Sequence, residues 1–453
     1  MSTVFLHVGQ CGNQIGHQFW KILKDEIEIN NNTAFNRYTG LARCIAIDSE
    51  PRVIEKPFNK SSHPLNSVLN RDRSISTSSG RGNNWALGYL DAPENGTKLS
   101  HATMEMLRKE AEDCDYYRGT VLIHSLAGGT GSGLGSKLLE KIRDEYPISF
   151  LLSAAVIPSE SADTPLQDYN SCLSLSYMQD YTDGIIFFEN DEVLRQVLYS
   201  NKRGSNASTH NINECIAYAL ANLFYPDRSN DFDWPSIMQD LVPSEDYKFI
   251  GAHSYPFIID KQASLSREVS WMNIVESGLK NFPKYEENGQ SSHQSISVKC
   301  YMRGEDLHNG VERQIKQFYN KISSHFRPVS WVDKSYLNFS FLEGRAANPI
   351  YKIDRSVTIA ANTTGILTAL RRTIYNAKSK FRAGAYLHWY SKYNCEAEKF
   401  LEAFDKIDNI IGNYQSALKH HTDKSPLQRF SDILAEISLP PDAVAALTPR
   451  LTI

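Results

Sequence analysis

Five glycines fall within twelve residues in "SLAGGTGSGLGS", positions 125–136, between an apolar run and an amphipathic one. Such a stretch reads as a turn joining the strand-like "GTVLIHS" (119–125) to the helix-like "LGSKLLEKIRDEY" (134–146). The same alternation recurs along the first half. "TVFLHV" (3–8) ends at Gly9 and is followed by "QIGHQFWKILKDEI", whose Ile15, Phe19, Ile22 and Leu23 share a helical face. "RCIAID" (43–48), "ISFLLSAAVIP" (148–158) and "GIIFFEN" (184–190) are further strands, with a helical period around Met104, Leu107 and Ala111. Strands alternating with helices in this way predict an α/β fold, a doubly wound parallel sheet covered on both faces.

In an open parallel sheet, ligands lie beyond the carboxyl ends of the strands. There the glycine stretch lets main chain approach closely, and its amides with the following helix N-terminus favour an anion. The expected occupant is a phosphate chain. Two commoner nucleotide loops are excluded: Lys137 does not follow a glycine as a P-loop requires, and Gly129 to Leu134 breaks the dinucleotide spacing. A nicotinamide-dependent enzyme on a similar sheet is thereby disfavoured. Three other strand ends add chemistry. "GQCGNQIG" (9–16) opens a helix, "IDSEP" (47–51) offers Asp48 and Glu50 to water around Mg²⁺, and "GRGNNWA" (80–86) offers amide side chains.

Length and charge set the limits. A chain of 453 residues exceeds one hydrophobic core and suggests two or three closely packed domains. A net charge of −4 gives no footprint for nucleic acid or an anionic membrane, so neither is an expected partner. Seven scattered cysteines without a C-x-x-C pair suit reduced thiols, and no apolar window spans a membrane, so a cytoplasmic, soluble protein is expected. Behind a Ser/Thr cap, "STHNINECIAYALANLFY" (208–225) reads as a buried connecting helix. "YKFIGAHSYPFII", "SISVKCYMRG", "YLNFSFLEG" and "SVTIAAN" then alternate like strands with one wet face, predicting a second sheet domain before a helical end.

These motifs together resemble the tubulin family. "GQCGNQIG" resembles its first nucleotide loop and "AGGTGSG" its signature, with Ala127 in place of the first glycine; "YNS" (169–171), "FEND" (188–191), "NIN" (211–213), "LVP" (241–243) and "YLHWY" (386–390) follow in family order. The resemblance implies a tubulin-like fold: a GTP-binding domain (1–207), a central helix (208–225), a mixed-sheet intermediate domain (226–362) and a C-terminal helical region (363–453). It implies that Gln10, Cys11 and Gln14 contact phosphates and base, and that Ser125 and Ala127, Gly128, Gly129, Thr130, Gly131 and Ser132 wrap the phosphates. Asp48 and Glu50 would serve Mg²⁺, Asn83 the γ-phosphate and Asp163 the ribose, while Asn190 and Asn213 would read guanine.

Within the family, the end "PPDAVAALTPRLTI" carries one acid where α and β chains finish in a dense acidic tail. That end, with a short loop before "RCIAID", resembles the δ branch, associated with centrioles and basal bodies. Other tubulins and centriole, basal-body or ciliary proteins are the implied partners, in the cytoplasm and cytoskeleton. Family hydrolysis uses an acid from the next subunit to orient water, and counting back from "LVP" puts Ser236 there. A hydroxyl cannot replace that acid. Slow or absent turnover is expected, unless Asp231, Asp233, Asp240 or a neighbouring tubulin supplies one. Thr209, followed by His210, occupies the position of the usual base-stacking tyrosine.

Overall fold

The computed structural model describes residues 2–26, 34–59, 62–94, 96–161, 164–200, 208–225, 234–257, 270–282, 286–287, 290–291, 294–304, 315–332, 336–343 and 355–419. The parallel half of the sheet is built from β1 (Ser2–Val8), β2 (Cys44–Asp48), β3 (Ser74–Ser76), β4 (Tyr117–Ser125), β5 (Phe150–Ile157), β6 (Gly184–Glu189) and β7 (Phe249–Tyr255). Across it the strands run in the order β7-β6-β5-β4-β1-β2-β3, all parallel.

Each strand sends alternate side chains to opposite faces. Val4, Leu6 and Val8 of β1 meet Leu122 and a layer that includes α3 (Trp85–Leu90), α4 (Leu99–Glu112), α5 (Gly135–Glu145), α6 (Gln167–Tyr181) and the C-terminal helices. Phe5 points the other way, with Val121 and Ile123, into a layer of α1 (Gly9–Glu26), α7 (Asn190–Ser200), α8 (Thr209–Phe224) and α9 (Trp234–Leu241). Each fully buried Leu or Phe in these layers contributes roughly 1.5–3 kcal/mol of transfer free energy. The short α2 (Pro51–Glu55) and α3 (Trp85–Leu90) follow β2 and the 80–84 loop.

Ser208 starts α8 with a capping box: its hydroxyl accepts from the Asn211 amide, and the Asn211 side chain accepts from the Ser208 amide. Its middle is buried, as the sequence predicts, and it packs along α1.

The second sheet is not separate. The antiparallel strand β13 (Arg355–Thr363) pairs with β7, so the sheet runs on through β10 (Gln294–Gly304), which pairs with β12 (Leu337–Glu343) and the two-residue β11 (Arg327–Pro328). A small ribbon, β8 (Glu286–Glu287) with β9 (Gln290–Ser291), lies apart. Nor do β10 and β13 keep a wet face. Both are buried nearly throughout, because α10 (Trp271–Leu279) and the helix Ile315–His325 cover Val298, Cys300, Val357 and Ile359, while Tyr301 and Ala360 pack into the layer beneath α8.

The chain ends in helices Ile366–Arg382, Leu387–Ser391 and Ala397–Lys419 against α6. The acid-poor terminus lies outside the described residues. All seven cysteines are free thiols.

Candidate functional site at the carboxyl rim

Parallel register brings the carboxyl ends of β1, β2, β4, β5 and β6 to one level, with Val8 opposite Ile47 and His124, Ser125 opposite Val156, and Ile157 opposite Glu189. The glycine stretch leaves β4 at this rim. It is a shorter turn than the sequence suggests: from Thr130 to Leu134 the chain winds as a π-helix that runs straight into α5. π-turns are rare and concentrate at functional sites. The "GQCGNQIG" segment is likewise helical from Gly9, whose φ of +75° turns the chain off β1.

Most of the glycines have a different purpose from the expected one. A Cβ on Gly129 would come closer than 3.0 Å to Arg81 and Asn84 backbone, and on Gly133 closer than 3.0 Å to Trp85, Gly88 and Tyr89 backbone. Gly131 would meet the Ser125 carbonyl and Gly135 the His124 ring. These four let chain pack on chain. Among the described residues, and its two chain neighbours aside, a Cβ on Gly128 would meet only Asn83 Oδ1 within 4 Å, at 3.7 Å, so in this stretch Gly128 faces open space. The opening thus lies over Gly128, at the start of a helix whose first amides have no intrahelical acceptor.

Around that opening the strand ends are tied to one another. Ser49 Oγ lies 2.6 Å from Thr130 Oγ1, joining the β2 end to the π-turn. Ser125 Oγ accepts from the Ala127 amide at 3.2 Å, and the Ser132 hydroxyl donates to the Gly128 carbonyl. Asp48 accepts from the Ser49 amide at 2.7 Å, while burial, reinforced by the Glu50 charge, lifts its carboxyl to about 6. Glu50 is exposed and reaches over Gly80. Among the described residues no group of three or more His, Cys, Asp or Glu could hold a metal by itself.

Gln10 is exposed on the first turn of α1, and the half-buried Cys11 beside it is a thiol that burial pushes up to about 12. Asn213 on α8 donates to Gln14 Oε1 on α1 at 2.9 Å, bringing two predicted residues together. Asn190 opens α7 at the end of β6. Asn83, at φ +50°, is exposed beside Gly128. Asp163, Asp231 and Asp233 lie outside the described residues, as does the Ser236 side chain, although Ser236 belongs to α9. Asp240 is ion-paired with Lys299 of β10, which removes it as a spare acid. Thr209 and His210 are exposed at the start of α8.

Two residues that the sequence does not single out complete the rim. Asn170 of α6 links the loops on either side of the opening. His124 is fully enclosed beneath the π-turn, its Nδ1 2.8 Å from the Gly131 carbonyl and its Nε2 2.7 Å from Ser153 Oγ. A carbonyl only accepts, so Nδ1 carries the hydrogen and Nε2 takes the serine's. Burial holds the ring at about 4 and so keeps it neutral. His124→Ala is expected to lower unfolding free energy by about 2 kcal/mol through a lost buried hydrogen bond and a cavity, measured by denaturant unfolding. Ser153→Ala, which keeps the bond to Gly131, should cost about half as much.

A parallel sheet with a glycine-bearing helix start at its carboxyl rim defines an α/β nucleotide-binding domain. Residues 2–197 match the GTPase-domain model of the Tubulin/FtsZ family. Over most of its length the chain is similar to tubulin β chains. That of Coprinopsis cinerea is 27% identical over 91% of this chain and 94% of the relative, and that of Cicer arietinum 29% identical over 90% and 94%.

Proposed function

We propose that the chain is a tubulin that binds GTP and uses it as a structural element of a longitudinal contact, with slow or absent hydrolysis. The open space over Gly128, beside Asn83 and at the start of the helix, is the observation that carries this reading. A polyphosphate would suit that place: among the described residues, chain neighbours aside, a Cβ on Gly128 would meet only Asn83 Oδ1 within 4 Å. The amides from Ala127 to Gly131, with Ser125, Ser132, Gln10 and Cys11, would hold the phosphates, and Asn83 would meet the terminal one. The Gln14–Asn213 pair leaves one amide oxygen and one amide nitrogen for a base that presents both donors and an acceptor, as guanine does. Asn190 would share that task, and Asp163 the ribose. Asp48 and Glu50 suit a Mg²⁺ ion held mainly by phosphates and water, since two carboxylates are enough for it.

The finer assignment, to the δ-like branch at centrioles, basal bodies or cilia, rests on the short loop before "RCIAID" and on the acid-poor stretch "PPDAVAALTPRLTI". The division into 1–207, 208–225, 226–362 and 363–453 belongs to the same reading, as do a cytoskeletal location and other tubulins as partners. Bound nucleotide stabilises whatever state binds it. A site that keeps GTP intact would stiffen a junction between microtubules rather than time its loss.

Two measurements test this. Nucleotide released from denatured, purified protein should be GTP or GDP, and NAD(H) would refute the reading. Single-turnover hydrolysis should stay at least about a hundredfold slower than for the Ser236→Glu variant, since an orienting base contributes roughly 10²–10⁴ in rate. Fast turnover of the unaltered chain with α/β-tubulin would mean that the neighbour supplies the acid, and the active-GTPase reading would replace this one.

A further inference from the structure

Asn170 has no exposed surface, yet it is a polar side chain in the middle of a core, and it uses every hydrogen-bonding position it has. Its Nδ2 donates to the Asn83 carbonyl and to the Ala127 carbonyl, both at 2.7 Å. Its Oδ1 accepts from the Trp85 amide at 2.9 Å and from the Tyr390 hydroxyl at 2.7 Å. One planar amide therefore fixes the 83–85 loop and the glycine stretch on the two sides of the opening over Gly128. It also ties both to the short helix Leu387–Ser391. A second amide runs parallel to it: Asn84 Nδ2 donates to the Trp389 carbonyl at 2.9 Å, while Asn84 Oδ1 caps α3. Tyr390 is itself enclosed, with its ring edge-on to Tyr169 and Phe400.

A buried network of this kind is rigid when every member is satisfied and costly when one is lost. We propose that Asn170 is a positioning residue of the phosphate site and that Tyr390 couples that site to the C-terminal helices, so that nucleotide retention depends on how Leu387–Ser391 is seated. The proposal rests on reading the rim as a guanine-nucleotide site. It adds a direction of control: whatever shifts the Leu387–Ser391 helix loosens the grip on phosphate, and by linkage bound phosphate steadies that helix.

Release of N-methylanthraniloyl-GTP from the full-length chain, chased with excess GTP, tests the proposal alongside thermal unfolding of the same samples. Asn170→Asp keeps the shape but sets a carboxylate oxygen against two carbonyls, and release should quicken at least about tenfold. Tyr390→Phe removes only the hydroxyl and should quicken release by about three- to tenfold, with the chain still folded. Tyr336→Phe removes a buried hydroxyl that donates to the Phe326 carbonyl at 3.2 Å, in the layer over β10 and away from both Asn170 and the Leu387–Ser391 helix, and should leave release unchanged. If Asn170→Asp does not fold, Tyr390→Phe against Tyr336→Phe decides alone. Unchanged release from Tyr390→Phe, or equal changes from both tyrosine variants, overturns the proposal even where melting falls. An unaltered chain that binds no nucleotide overturns the guanine-nucleotide reading itself, and this coupling with it.

Discussion

Gly133→Ala is expected to yield little or no folded protein, whereas Gly128→Ala, five residues earlier in the same stretch, folds normally and loses nucleotide. The contrast follows from what each missing side chain would touch. A methyl on Gly133 would sit closer than 3.0 Å to backbone of Trp85, Gly88 and Tyr89, atoms fixed by helix α3. Backbone cannot rotate away as a side-chain tip can, so α3 and the π-turn would have to separate. Overpacking in a core typically costs 1–3 kcal/mol, and a collision with backbone should exceed about 3 kcal/mol. A methyl on Gly128 would find only Asn83 Oδ1, at an ordinary 3.7 Å. Its cost in stability should stay under about 1 kcal/mol, while it fills the space assigned to phosphate and weakens GTP binding by about tenfold or more. Yield and melting temperature read the first effect, and equilibrium titration with a fluorescent GTP analogue the second. A stable, well-folded Gly133→Ala would contradict the packing role of this glycine.

That distinction was not legible in the sequence. "SLAGGTGSGLGS" marks a place where backbone must come close to something, but a glycine that admits a ligand and one that admits another helix look the same in one dimension. Five strands of the first-half sheet were legible, since they are apolar runs buried on both faces and bounded by helical periods; the half-buried β3, "SIS", was not. The joining of β7 to β6 was not, because Ile185 and Phe249 meet across a long stretch of intervening chain. Helix α6 escaped for another reason. Gln167, Asp168, Asn170, Ser171, Ser174 and Ser176 are all buried in it, whereas a periodic pattern read from sequence assigns such residues to solvent. Asn170 could be noticed only as the middle of "YNS". Its four partners come from residues 83, 85, 127 and 390, which the sequence gives no reason to combine.

The buried histidines predict that the protein loses stability as pH falls from about 6.5 toward 4. Burial holds His7 at about 3 and His17, His124 and His253 at about 4, with the nearby His63 and Lys56 charges also lowering His17. An unfolded chain exposes each at about 6.5. Between those values the unfolded state binds protons that the folded state refuses, so the stabilisation is complete above about pH 6.5 and is lost as pH falls through the folded values. Each proton taken up on unfolding contributes a slope of about 1.4 kcal/mol per pH unit. Buried carboxyls act in the opposite sense. Burial raises Asp48 to about 6 and raises Glu189 and Glu192, so unfolding releases their protons and offsets part of the slope. Four imidazoles against three carboxyls leave roughly one to two protons near pH 5.5, or roughly 1–3 kcal/mol per pH unit. Denaturant unfolding from pH 7 down to pH 5, at saturating nucleotide, measures that slope. The decisive variant is His253→Gln: this ring sits on β7 against Gln196, away from the phosphate rim, and its loss should remove about 1.4 kcal/mol per pH unit whatever it does to stability at neutral pH. Identical slopes for the variant and the unaltered chain would show that His253 takes up its proton without unfolding.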